Sequence, residues 1–150
     1  LLIEPFAAQA VAKGIGVRWK DTYEFTPGYA GSIWVYSQKF IDTQPEAARR
    51  FMVANIRGVR DYDTAMTKKI GRPEVIAALV KHTSVKDPTL YDRMSPAALA
   101  PSGEISMEGL KADVDYFHAN GALPQVPDLS KAVDTQFTRY AIQRLGPYNG

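Results

Sequence analysis

The sequence predicts an α/β fold that turns helix-rich toward its C-terminus, and three observations carry that reading. The first six residues, Leu1-Leu2-Ile3-Glu4-Pro5-Phe6, set an apolar run of strand character against a carboxylate and a proline, the mark of a strand-to-helix corner. A second run, Ser32-Ile33-Trp34-Val35-Tyr36-Ser37, is nearly continuous in β-branched and aromatic side chains, as a buried strand should be. From about residue 44 onward, apolar positions recur at three- and four-residue spacing, the period of amphipathic helices. A strand at residue 1 with no partner before it suggests that the chain starts inside a larger fold.

After the corner, Phe6, Ala7, Ala10 and Val11 form a helical pattern that stops at Gly14. Gly16-Val17-Arg18-Trp19-Lys20 alternates apolar and polar side chains, as a half-buried strand does. A loop with Tyr23, Pro27, Gly28 and Tyr29 leads into the Ser32–Ser37 strand. Thr43 as N-cap, Pro45 in the first turn and Glu46 at the positive end of the dipole predict a helix over about 44–66. Ala48, Phe51, Met52, Asn55, Ile56 and Val59 recur along its inward face, while Arg49, Arg50, Arg57 and Arg60 read as a solvated face paired with nearby acids.

A helix over Pro73–His82 buries Val75, Ile76, Leu79 and Val80, and a shorter one starts at Asp87-Pro88. Pro96, Pro101 and Gly103 make 95–103 a loop. Ser106 caps the next helix, Ile105 and Leu110 form a hydrophobic staple, and Asn120-Gly121 ends it. The last helix, near 134–145, buries Phe137, Ala141 and Leu145 and stops at Gly146-Pro147.

The 150 residues suit one sizeable core. Eighteen basic and sixteen acidic residues, for a net charge of +2, are intermixed, so no basic stripe tracks a phosphate backbone and nucleic acid is not an expected partner. The chain has no cysteine, which removes a disulfide framework, thiol catalysis and a thiolate zinc site together. No apolar stretch reaches the roughly 20 residues of a membrane span, so direct membrane insertion is not expected.

Two histidines, His82 and His118, have no second ligand one helical turn away, so a metal site is not supported. Asp113 and Asp115, like Asp61 and Asp63, are two positions apart and project to different sides of a helix, the wrong arrangement for an acid and base sharing a substrate. Glu4 has two readings: a ligand contact at the carboxyl end of a strand, or a carboxylate that stabilises a helix N-terminus. On the first, Glu4→Ala weakens binding and leaves thermal stability nearly unchanged. Trp19, Tyr23, Phe25, Tyr29, Trp34 and Tyr36 crowd residues 19–36; Tyr23 and Tyr29, placed in a loop, are the candidates for a ligand-cleft wall.

Glu4-Pro5-Phe6, the strand Gly31–Ser37, Phe40 and the helix start Gln44-Pro45-Glu46 follow one another in a definite order. Tyr91-Asp92-Arg93-Met94, Gly103-Glu104-Ile105, Leu110-Lys111-Ala112-Asp113, Gly121 and Val133-Asp134-Thr135-Gln136-Phe137 continue it. The set resembles the second half of substrate-binding proteins of the NMT1/THI5-like group, which serve ABC importers of the nitrate, sulfonate and taurine type. The resemblance implies a type II periplasmic-binding-protein fold, two α/β lobes joined by crossover strands and closing on a small molecule. Residues 1–30 would then end the second lobe and return through the crossover, and residues 31–150 would supply a strand and the helices that brace the lobes.

By the same likeness the protein is noncatalytic and needs no cofactor. It is periplasmic or lipid-anchored outside the cytoplasm, with a small-molecule ligand and ABC permease subunits as partners. Glu4 falls at the position of the family's acid after a Trp-Glu-Pro type corner, with Leu2-Ile3 in place of the tryptophan-containing approach. Half of the cleft would lie outside these residues, so the 150-residue chain is expected to bind little ligand. Two alternatives use related scaffolds: an enzyme of thiamine-pyrimidine synthesis, and a ligand-sensing effector domain of a regulator.

Overall fold

The computed structural model describes residues 1–26 and 31–149. It is 57% helix, with no strand and no sheet among the described residues. The expected α/β, type II periplasmic-binding-protein-like fold is therefore corrected: without a sheet there are no α/β lobes to close on a ligand. Seven α-helices run in order: α1 (Phe6–Ala12), α2 (Gln38–Thr43), α3 (Pro45–Asp63), α4 (Arg72–His82), α5 (Met107–Ala119), α6 (Leu129–Ala132) and α7 (Gln136–Leu145). Two 3-10 turns, Thr22–Glu24 and Pro88–Asp92, and a π turn, Thr64–Lys68, complete the described secondary structure.

The segments read as strands fail for a common physical reason. Alternation makes a segment competent for a sheet, but a strand exists only when a second strand satisfies its backbone groups. Residues 16–20 and 31–36 are extended or irregular, and no backbone–backbone hydrogen bond involves them among the described residues. The chain at residues 1–3 likewise forms no strand; the Ile3 carbonyl instead accepts from the amides of Phe6 and Ala7 as the backbone bends into α1.

The helices follow their local signals closely. α3 keeps part of the expected stripe, with Ala48, Met52 and Ile56 buried and Phe51 41% exposed, and passes into the π turn at Thr64. Thr43 is not its cap, because it closes α2 with its hydroxyl donating to the Lys39 carbonyl. Ser106 Oγ accepts from the Gly109 amide at 3.0 Å and caps α5 as expected. Asp87 accepts from the Thr89 amide and hydroxyl at 2.9 and 2.7 Å, which holds the Pro88 turn. These two hydrogen bonds lower the Asp87 pKa below the usual carboxylate range.

The contacts divide the chain into two units, with the boundary inside α3 at Val59–Arg60. One unit comprises residues 22–59 and 100–149, and its core is Ala48, Met52 and Ile56 of α3 with Phe137 and Ala141 of α7. Residues 34 and 36 contact this core from the segment expected as a strand. Trp34 donates its Nε1–H to Asn55 Oδ1 at 3.0 Å and meets Phe51 edge-on at 4.9 Å. Tyr36 donates to the Ala48 carbonyl at 3.1 Å and packs edge-on against Phe40 and Phe137. Trp34 stays 61% exposed, between Ile33 at 50% and Val35 at 79%. Gly103, at φ 68°, lies so close to Ile56 and Thr138 that a Cβ would sit 2.7 Å from each, which restricts this position to glycine.

The other unit comprises residues 1–21 and 60–99. Ala8, Ala65, Met66, Leu90 and Tyr91 are its buried apolar side chains. Arg72, at the start of α4, ties this unit together: its guanidinium donates to Asp92 Oδ1 at 2.5 Å, to the Tyr91 carbonyl at 3.3 Å and to the Met66 sulfur. The Tyr91 hydroxyl in turn meets Thr83 Oγ1 at 3.0 Å. Among the described residues no helix is long and apolar enough to cross a membrane.

Candidate functional site

Glu4 sits where the sequence places it, at the turn into α1, with a cis peptide bond to Pro5. Its carboxylate is fully engaged inside its own unit. Oε2 accepts from the Ala8 amide at 3.0 Å, which satisfies one of the orphan donors of the helix N-terminus. Oε1 accepts from the Ser95 amide at 3.1 Å and from Arg18 Nη2 at 2.5 Å. Of the two readings of Glu4, the contacts belong to the helix-stabilising one, extended by an arginine and a distant loop.

Arg18 joins this carboxylate to a second. Its Nη1 donates to Asp21 Oδ1 at 2.9 Å, and both Asp21 oxygens accept from the Ser95 hydroxyl at 3.1 and 3.0 Å. The hydrogen bond to Glu4 is the main reason that the Arg18 pKa lies above its ordinary value; partial desolvation opposes it, and Asp21 adds to it. The result is a network of two carboxylates, a guanidinium and a serine. The network fastens residues 4, 18, 21 and 95 to one another.

The other expected contact residues lie elsewhere. Tyr23 is exposed in the 3-10 turn Thr22–Glu24 and belongs to the other unit from Glu4. Tyr29 lies outside the described residues. His118 Nδ1 contacts the Leu123 carbonyl at 3.0 Å beyond the end of α5, a structural use of the ring. Among the described residues no group of three or more histidine, aspartate or glutamate side chains is placed to hold a metal ion.

In the unit built on α3 and α7, an open depression of about 240 Å³ is lined by Arg49, Gln136, Phe137, Arg139, Tyr140 and Gln143. Positions 136, 139, 140 and 143 share one face of α7 by helical spacing, and Arg49 reaches them from α3. Arg49 pairs with Glu46, as the sequence suggests for this arginine face, and its guanidinium lies 5.5 Å from the centroid of the Tyr140 ring. The Gln136 side chain is held by Asp134, and Phe137 is buried beneath. Two guanidinium groups, two amides and an aromatic face can receive a flat molecule bearing acceptor oxygens.

Sequence reasoning missed Arg18, Asp21 and Ser95. Arg18 and Asp21 carry a local signal, opposite charges three residues apart. Ser95 carries none, because its partners are 74 and 91 residues away. The depression was half visible: Phe137 reads as core, but the polar residues on either side of it read as surface. No protein-family model, no curated protein and no solved structure matches the chain.

Proposed function

We propose that the chain belongs to a noncatalytic, extracytoplasmic solute-binding component of an ABC importer, which captures a small organic molecule and presents it to permease subunits. The observation that carries this reading is the ordered likeness running from Glu4-Pro5-Phe6 through Gln44-Pro45-Glu46 and Tyr91–Met94 to Val133–Phe137. The reading concerns activity, and the two-lobe sheet architecture is no part of it.

The α3–α7 depression is the place on this chain where a small molecule can be tested, although the likeness gives its helices a bracing role. It offers an aromatic face for a flat body and guanidinium and amide donors for acceptor oxygens, with no nucleophile or proton-transfer pair on its wall. Because it is open and small, binding is weak, with a dissociation constant on the order of 0.1–1 mM. A thermal-shift screen of sulfonates, pyrimidines and aromatic carboxylates tests this. One class is expected to raise the melting temperature in proportion to the logarithm of its concentration, and Tyr140→Ala is expected to remove that shift. No shift from any class at about 10 mM, far above the expected dissociation constant, rejects the proposal, as does a shift that Tyr140→Ala leaves intact.

A further inference from the structure

The wall of the α3–α7 depression carries two arginines, and only one of them has charge to spare. Arg49 is committed twice: its guanidinium pairs with Glu46, which balances its charge, and lies over the Tyr140 ring at 5.5 Å from the centroid. Arg139, by contrast, forms no ion pair and no side-chain hydrogen bond among the described residues. Gln136 is held too, because its side-chain N–H donates to Asp134. Gln143, one turn beyond Arg139 on the same face of α7, has no such partner among the described residues. The free donors of the depression are therefore one guanidinium and one amide, a helical turn apart.

Resting on the reading of this depression as a solute site, we propose that it selects an aromatic carboxylate with a single ring, and that Arg139 decides the charge of the ligand. With Arg49 balanced by Glu46, one positive charge remains among the lining residues. That charge matches a monoanion and leaves a dianion such as a phosphate monoester without its second cation. Asp134 does not line the depression; it accepts from the Gln136 amide and side chain at the start of α7, where it meets the positive end of the helix dipole. A guanidinium donates two parallel hydrogen bonds to a carboxylate through its planar fork. An aromatic carboxylate is flat through its charged end, so its ring can lie against the wall made by Tyr140 and the Arg49 guanidinium. A sulfonate spreads its oxygens out of that plane.

The dimensions agree with one ring. The volume of about 240 Å³ lies below the roughly 300–1,000 Å³ of pockets for drug-sized molecules. The openness of the depression sets the size of the charge effect. An exposed guanidinium–carboxylate pair changes affinity by about fivefold at low salt, and the effect fades as the Debye length shortens.

Benzoate, its neutral isostere benzamide and the puckered cyclohexanecarboxylate are the probes, titrated into the isotope-labelled chain at low salt with the backbone amides of α7 as NMR reporters. Benzoate is expected to bind about fivefold more tightly than benzamide and about threefold more tightly than cyclohexanecarboxylate. Arg139→Gln should bring benzoate level with benzamide and leave the melting temperature of the free chain unchanged, because the parent side chain has no partner to lose. Raising the salt from about 20 to 300 mM should weaken both carboxylates and leave benzamide as it was. A benzoate preference that survives Arg139→Gln overturns the proposal, as does equal binding of benzoate and either comparison probe. The solute-site reading fails separately: it stands if a solute of any charge raises the melting temperature and loses that shift in Tyr140→Ala, and it falls if none does.

Discussion

Glu4→Ala should cost the Glu4 unit about 3 kcal/mol. Three separate losses produce this figure. The Ala8 amide loses its acceptor at the start of α1, about 1 kcal/mol for a helix N-terminal contact. The Ser95 amide, partly buried, is left without the carboxylate that anchors it, roughly 1–2 kcal/mol. The ion pair with Arg18 contributes less, about 0.5 kcal/mol, because the arginine side chain is still 33% exposed and keeps Asp21. Glu4→Gln retains one acceptor oxygen and should lose roughly half as much.

The chain has two tryptophans, one in each unit, so fluorescence can assign the loss. In a Trp34→Phe background, emission comes from Trp19, the neighbour of Arg18. At slopes of about 1.5–3 kcal/mol per molar urea, Glu4→Ala should lower the unfolding midpoint by roughly 1–2 M. The reasoning is refuted if the midpoint moves by less than about 0.3 M, within the uncertainty of such titrations, while binding of a solute identified by thermal shift is lost. That outcome would return Glu4 to the role of ligand contact.

Gly103→Ala should destabilise the other unit by about 2–4 kcal/mol, from a left-handed backbone strained by a side chain and from a Cβ forced against Ile56 and Thr138; Trp34 fluorescence during urea unfolding of a Trp19→Phe chain measures it. Burial raises the Tyr36 pKa above its usual value of about 10, so above that pH the folded chain holds a proton that the unfolded chain releases. The stability this contributes is complete below the unfolded value and is lost as pH rises through the folded one. The Trp34-reported stability should therefore fall more steeply above about pH 10 in the parent than in Tyr36→Phe, and parallel slopes would exclude the effect.

The five longer helices were legible, the short α2 and α6 were not read, and the strands were misread; between the longer helices and the strands the difference is one of range. α3, α5 and α7 announce themselves within a few residues, through Pro45 and Glu46, the Ser106 cap and the Gly146 stop, and their hydrogen bonds close within the same segment. A strand closes its hydrogen bonds with residues that its own sequence does not contain. Ser32–Ser37 has the composition of a strand, yet the structure sends Trp34 to Asn55 and Phe51 and Tyr36 to the Ala48 carbonyl. Expected as a buried strand, the run instead packs Tyr36 on helices and leaves Ile33, Trp34 and Val35 half or more exposed. The site shows the same limit. Glu4 was visible as a helix-start carboxylate, whereas its tie to Ser95 spans 91 residues and leaves no local trace.

The two units are held by different forces, and this shows in what each leaves exposed. The α3–α7 unit rests on interlocked apolar and aromatic contacts around Ile56 and Phe137, a core that takes in Tyr36 and leaves Ile33, Trp34 and Val35 largely exposed. The Glu4 unit has few large buried side chains and depends more on charge-assisted hydrogen bonds, with Arg18 between Glu4 and Asp21 and Arg72 on Asp92. Such bonds fix geometry without covering apolar surface. Val17 and Trp19, on either side of the paired Arg18, accordingly remain exposed in this unit.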